Sequence, residues 1–187
     1  MTTLTNSRAK RYMPTLVVPS AARRSALDLA SKRVIDIVLA TVGVIILTPL
    51  WLVVALLIRI SDRGPAFFKQ TRVGKNGQTF TMYKFRTMRV DAEQVKASLE
   101  AANRADVGAG NSVMFKMRDD PRVTRVGRVL RKTSIDELPQ LFNVIKGDMS
   151  LVGPRPPLPS EVATYEPHVM GKFSVRPGIT GLWQISG

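Results

Sequence analysis

The sequence predicts an α+β chain built around a membrane-embedded helical segment, and three observations carry that prediction. Ile37–Ile58 is a run of 22 residues without a charge, longer than the ~18 that mark a membrane-embedded segment. Just after it, two short runs rich in Phe, Thr, Val and Tyr flank an Asn-Gly dipeptide, the pattern of a β-hairpin. From Gly147 onward Pro and Gly crowd the chain, which implies loop-built structure. Composition narrows the function. The 187 residues include 28 Lys plus Arg against 14 Asp plus Glu, a formal charge of +14, with no Cys and one His. The missing thiols exclude a disulfide scaffold, a thiolate zinc site and a cysteine nucleophile, and His168 alone cannot make a His-rich metal site. So basic a chain implies an anionic partner: nucleic acid, an acidic membrane surface or phosphorylated ligands.

Residues 1–24 read as a flexible basic arm carrying Arg8, Lys10, Arg11, Arg23 and Arg24, with Pro14 and Pro19. Residues 25–61 hold the apolar segment. Pro49 falls just past its middle, where it removes a helical hydrogen bond, and the Thr48 hydroxyl beside it can serve a freed backbone group. The halves Ile37–Thr48 and Pro49–Ile60 each have 12 residues, about 18 Å of helix, or one leaflet of a ~30 Å hydrocarbon core. Basic residues stand on both flanks, Lys32 and Arg33 before, Arg59 and Arg63 after. That lack of asymmetry suits a segment whose two ends stay on the cytoplasmic side. A Pro-kinked span is the alternative on these features alone.

Residues 62–187 carry the rest. The strands are expected over Phe67–Val73 and Thr79–Phe85. Asp91–Ala105 reads as a polar helix, Val107–Asn111 as a loop, and Asp119-Asp120-Pro121 as a break. Arg122–Lys132 resumes helical spacing, with Val123, Val126 and Leu130 on one face and Arg125, Arg128, Arg131 and Lys132 around it. A basic amphipathic helix of this kind suits an anionic interface; a charged solvent face over an ordinary core is the plainer reading. Asp136-Glu137 is an acid pair followed by a helical pattern, Leu138, Leu141, Phe142 and Ile145. Ser134 with Glu137 fits a capping box, which alone would account for Glu137. Both carboxylates are expected at a helix start, where the dipole and Arg131 with Lys132 favour ionisation. An ionised, partly desolvated Asp can be a nucleophile or a metal ligand. Further on, Arg155 is fixed between Pro154 and Pro156, and Arg176-Pro177-Gly178 repeats the theme. Such arginines can hold phosphate oxygens or simply stiffen turns. No Walker A or dinucleotide fingerprint is present.

The strings Lys84-Phe85-Arg86-Thr87-Met88, Asp120-Pro121-Arg122, Arg131–Val144, Gly147–Pro156 and Val175–Gly187, in this order, closely resemble the bacterial sugar transferases, the monotopic polyprenyl-phosphate phosphoglycosyltransferases. The resemblance covers 31–187. It implies transfer of a sugar 1-phosphate from a nucleoside diphosphate sugar, usually of uridine, to polyprenyl (undecaprenyl) phosphate at the cytoplasmic face of the bacterial inner membrane. It implies magnesium and a covalent intermediate. By motif, Asp136 matches the nucleophile and magnesium ligand and Glu137 its partner. Lys84, Arg86, Arg131, Arg155 and Arg176 match phosphate and nucleotide contacts, and Thr48-Pro49 matches the break of a re-entrant helix, with Thr where many members have Ser. Residues 62–187 would then be a cytoplasmic catalytic domain against anionic lipid. Family members continue beyond the Trp183–Gly187 stretch, so a C-terminal segment is expected to be missing. Two rivals stand beside this: a membrane-anchored nucleic-acid binder, for which no binding motif is found, and a non-catalytic membrane scaffold. Neither the sugar nor the oligomeric state is legible.

Overall fold

In a computed structural model of the chain, residues 25–92, 94–95 and 120–181 are described. The expected basic arm and most of the expected polar helix Asp91–Ala105 and loop Val107–Asn111 lie outside them. The chain is mixed helix and sheet. It begins with α1, Ala26–Asp62, a helix of 37 residues and about 55 Å at ~1.5 Å per residue. It is long and apolar enough to cross a membrane by length and composition. The expected break at Thr48-Pro49 does not interrupt it: α1 stays helical through both residues, with Pro49 inside.

One stripe of α1 is covered. Asp36, Ala40, Trp51, Val54 and Ile58 are buried at helical spacing, while Ile45, Ile46, Leu52 and Ile60 are each about 70% exposed. A soluble helix hides its apolar face and shows water a polar one. Here the uncovered sides are apolar too, a surface suited to lipid.

The residues form two compact units that interleave in sequence, and α1 divides between them at Leu47 and Thr48. The first takes α1 up to Leu47, Lys69–Tyr83 and the chain from Pro139. It holds most of the hairpin of β1, Phe67–Val73, and β2, Thr79–Phe85. The hairpin turns where Asn76 (φ 56°) and Gly77 (φ 72°) both take positive φ, as the Asn-Gly signal requires. Helix α3, Gln140–Lys146, ends at Gly147 with φ 95°, a left-handed cap. Arg33 on α1 donates to its last carbonyls, Val144 O at 2.8 Å and Ile145 O at 3.2 Å. Asp36 accepts from Lys32 Nζ at 3.0 Å, Ser150 Oγ at 2.8 Å and the Leu151 amide at 3.2 Å. The two charges read from sequence as a membrane flank, Lys32 and Arg33, thus join α1 to the polar part of its unit. Buried Asn143 donates to Thr81 O at 2.7 Å and accepts from the Tyr83 amide at 3.1 Å, tying α3 to β2.

Strand β3, Ser150–Val152, pairs in parallel with β4, Gly178–Thr180. Their backbones approach so closely that a Cβ on Gly178 would lie 2.1 Å from Gly153 N. A short helix α4, Pro159–Val162, and a 3₁₀ stretch, Pro167–Ser174, pack Val162 and Phe173 on Val73.

The second unit takes α1 from Thr48 through Phe68 and the described part of Lys84–Leu138. Phe85, about 1% exposed, is its centre. Trp51 meets it edge-on at 6.2 Å and Phe67 stacks on it at 5.2 Å. Helix α2, Arg125–Lys132, is capped by Thr124, whose hydroxyl accepts from the Gly127 amide at 2.9 Å. Gly127 is obligatory: a Cβ there would lie 1.9 Å from Thr87 O.

Candidate active site

Asp136 and Glu137 stand in a 3₁₀ turn, Ile135–Glu137, within the second unit. The turn follows α2 through Ser134, a non-glycine residue in the left-handed region (φ 56°, ψ 16°) that makes no side-chain cap bond. Such a conformation costs on the order of 1–2 kcal/mol and is held only where its surroundings demand it. The capping box expected of Ser134 and Glu137 is therefore not formed. Glu137 instead accepts a 2.6 Å hydrogen bond from Lys84 Nζ, at the end of β2. That places a cation from the end of β2 against the acid pair.

Asp136 is buried, about 8% exposed. Burial pushes its carboxyl above the usual carboxylate range; Lys84 pulls it down, Glu137 raises it further, and Arg131 pulls it down. The nearby cations pull toward ionisation as expected, but burial pulls harder the other way. Helix α3 begins only at Gln140, after Pro139, and desolvation outweighs the two cations.

Arg131, on the last turn of α2, donates from Nε to Thr87 Oγ1 at 2.9 Å. Its fork is thereby oriented, and its other donors make no hydrogen bond among the described residues. Asp120 lies nearby in charge terms: hydrogen bonds from the Arg122 guanidinium at 2.8 and 2.6 Å hold its carboxyl below the ordinary range, with Arg131 adding a smaller pull. The Asp120-Pro121-Arg122 string is thus an internal clasp. Arg86 differs. Its Nη1 is buried without a hydrogen-bond partner, against Gly64, and no hydrogen bond or ion pair among the described residues joins it to the acid pair.

Arg155 and Arg176 belong to the first unit. Arg155 is exposed and makes no hydrogen bond or ion pair among the described residues. The loop under it is firmly held: Arg72 Nη1 donates to Pro156 O at 3.1 Å and the Val73 amide to Pro157 O at 3.0 Å. Arg176 Nε donates to Gly147 O at 3.0 Å. The sequence reading assigned no role to Asp36, Arg72, Thr87 or Asn143. Asp36 had a signal, as an acid at the mouth of an apolar run; the others had none without the fold.

In chemical terms the second unit offers one buried carboxylate beside a second carboxylate and two cations, a setting for phosphoryl chemistry at an acid oxygen. Among the described residues there is no cluster of three or more His, Cys, Asp or Glu side chains. Two adjacent carboxylates nonetheless fit magnesium, which takes one or two carboxylates and completes its shell with phosphate oxygens and water.

Comparison with known proteins identifies the family. The family model described as bacterial sugar transferase matches residues 27–187. The galactosyl transferase CpsE of Streptococcus agalactiae is 52% identical over 159 residues, 85% of this chain and 34% of that protein. The exopolysaccharide production protein ExoY of Sinorhizobium fredii is 47% identical over 84% of this chain and 69% of its own length. The UDP-glucose:undecaprenyl-phosphate glucose-1-phosphate transferase of Caulobacter vibrioides is 45% identical over 88% of this chain and 56% of its own length. The chain thus spans about a third to two thirds of these relatives, and the stretch matched by the family model includes every candidate residue from Lys84 to Arg176. The chain belongs to the bacterial sugar transferase family.

Proposed function

We propose that this protein moves a sugar 1-phosphate from a UDP-sugar to polyprenyl phosphate on the cytoplasmic face of the bacterial inner membrane, through a phosphosugar ester on Asp136, in the assembly of exopolysaccharide or another glycan. The observation that carries the reading is the buried Asp136 carboxylate flanked by Lys84 and Arg131. An Asp136 oxygen attacks the phosphorus that bears the sugar, the bond to the nucleoside monophosphate breaks, and that monophosphate leaves with the electron pair. A phosphate oxygen of the lipid then attacks the same phosphorus, the acyl phosphate bond breaks, and the Asp136 carboxylate is restored. Arg131 and Lys84 offset negative charge at the phosphoryl oxygens. Asp136 and Glu137 would hold magnesium, which when bound neutralises phosphate charge. Donor assays with UDP-glucose, UDP-galactose and UDP-N-acetylgalactosamine in membranes containing undecaprenyl phosphate test the reading. A radiolabelled lipid product with one of them is expected; none with any would refute it.

Local charge around Asp136 gives a pH test. Attack needs the ionised carboxylate, so kcat/KM rises with pH along an acid limb set by Asp136. Lys84→Met removes a charge that lowers the Asp136 pKa and should move the limb up. A limb that stays in place or moves down would contradict this account.

The re-entrant course of α1 belongs to the same proposal. Its support is that α1 meets polar structure at Asp36, just before the apolar run, through Ser150 and Leu151, and packs in its second half through Trp51 on Phe85. Elements so rich in charge cannot accompany a helix into hydrocarbon. Single cysteines at Ser31 and Ser61 are both expected to resist an impermeant thiol reagent in intact cells. Labelling of one from outside would establish a span.

A further inference from the structure

Two cations at the end of β2, both in the second unit, have opposite settings. Lys84 is engaged with the acid pair, its Nζ 2.6 Å from Glu137 Oε1. Arg86, two residues on, turns inward: its Nη1 is buried against Gly64 and has no hydrogen-bond partner among the described residues. The seat is closely fitted. A Cβ on Gly64 would overlap Arg86 Nη1 and lie 2.7 Å from Val90 Cγ2, so any larger residue would push the guanidinium away. Leading to the seat, α1 closes with the Arg63 amide donating to Arg59 O at 3.0 Å, and Arg63 then takes a left-handed conformation (φ 49°). A non-glycine residue holds that conformation only where its surroundings demand it. The Arg86 amide donates to Ala66 O at 2.8 Å. Backbone and side chain of Arg86 thus both close on the turn that follows α1.

An arginine that receives a phosphate keeps its paired donors open toward the ligand; Arg86 instead commits one amino group to a seat of Gly64 and Val90. Burying part of a cation without a hydrogen bond is unfavourable unless an opposite charge stands near. Asp62 meets that need. Its Oδ2 is also buried without a hydrogen-bond partner among the described residues, and its Cα is at most about 7.6 Å from that of Gly64, two steps along the chain. In a poorly solvated junction, charges at such range attract without touching. One compensating pair thus accounts for two buried charged atoms that hydrogen bonding leaves open. What the pair secures is the strand end. Only Phe85 separates Lys84 from Arg86, and Phe85 is buried under Trp51 and Phe67. With Phe85 in the core and Arg86 on its seat, the Lys84 side chain starts from a fixed point. We propose that Arg86 is a positioning residue: seated on Gly64 and balanced by Asp62, it holds the end of β2 so that Lys84 stays against Glu137. The part Lys84 plays in the reaction rests on the transferase reading above; its placement does not.

The test reads Lys84 itself, by NMR of the full chain in lipid nanodiscs with lysines labelled with nitrogen-15 at Nζ and Lys84→Arg to assign the signal. In the parent the Lys84 ammonium should be ordered and displaced from lysines free in water. Arg86→Gln should move it toward the free-lysine position. Gly64→Ala changes no charge and only displaces the guanidinium, and it should move the signal the same way. A Lys84 signal that keeps its parental position in these variants overturns the proposal. Should Arg86→Gln fail to fold, Gly64→Ala decides alone. Asp62→Asn and Arg86→Gln together should lower the melting temperature by less than the sum of their separate effects; additive losses overturn the pairing with Asp62. Turnover gives an independent reading. Arg86→Gln should lower kcat/KM about ten- to a hundredfold, the scale of a misplaced catalytic group, and should cost nothing more in a Lys84→Met background. Losses that multiply in the double variant would make Arg86 a direct substrate contact and overturn the proposal. A parent that turns over donor while Lys84 is unmoved in Arg86→Gln defeats this inference alone. A chain that shows the NMR shifts and turns over no donor supports the positioning and defeats the transferase reading.

Discussion

Asp136→Asn should abolish turnover, by about 10⁴-fold or more as for loss of a covalent nucleophile, and yet leave a fold at least as stable as the parent. The two halves of that result have one cause. Burial lifts the Asp136 carboxyl above its usual range, so the folded chain binds its proton more tightly than the unfolded chain does. Between the two pKa values the folded state carries the extra proton, and stability falls as pH rises through that window. Once ionised, the buried carboxylate is therefore a net cost to folding that the reactive site retains, and Asn removes it. The melting temperature of Asp136→Asn should equal or exceed the parent's at pH 7, with the gap closing as pH drops below the ordinary carboxylate range. Mass spectrometry with donor and no lipid should find a phosphosugar adduct on Asp136 in the parent and none in the variant. An adduct that persists in Asp136→Asn would move the nucleophile elsewhere. Loss of both activity and stability would make Asp136 a structural acid.

How far the sequence revealed this site depended on whether the deciding interactions were local. The hairpin was legible to the residue, Phe67–Val73 and Thr79–Phe85 around Asn76-Gly77, because turn chemistry is a property of adjacent residues. The helix at Arg125–Lys132 lay within the expected Arg122–Lys132, its start set by the Thr124 cap. The acid pair was legible as a motif, but its environment was not. Lys84 reaches Glu137 across 53 positions, and no local pattern announces that pairing. The capping box failed for a related reason: Ser134 takes a left-handed conformation that turns the chain out of α2, so its hydroxyl is not where a cap would need it. The dominance of burial over the cations at Asp136 was not legible, because sequence shows charges and not the extent of burial. Lys32 and Arg33 were read by sign alone, as a basic flank. Their bonds to Asp36 and to the end of α3 show that a residue at a membrane edge can also be a structural joint.

Arg131→Ala should lower turnover about 10²- to 10³-fold, the effect of removing one preorganised donor from developing phosphoryl charge, and the family resemblance predicts a loss for Arg155→Ala as well. Their stabilities should differ in an informative way. Arg155 is exposed and bonded to nothing among the described residues, so its loss should leave unfolding within about 0.5 kcal/mol of the parent. Arg131 gives up one hydrogen bond to Thr87, a further loss of about 1 kcal/mol. Removing Arg131 also deletes a charge that lowers the Asp136 pKa, so its acid limb should move up in pH, whereas Arg155→Ala, which has no part in that balance, should leave the limb in place. Lysine at either position should rescue only partly, because an ammonium cannot make the paired contacts of a guanidinium. Thr87→Val separates orientation from charge: it keeps Arg131 and its cation but removes the acceptor that fixes Nε. Turnover in that variant should fall less than in Arg131→Ala, with the acid limb nearly unmoved. If Thr87→Val matched the parent, the Thr87 contact would have no part in positioning Arg131. If either arginine variant unfolded at the temperature of assay, its role would be structural and the phosphate assignment would fail for that residue.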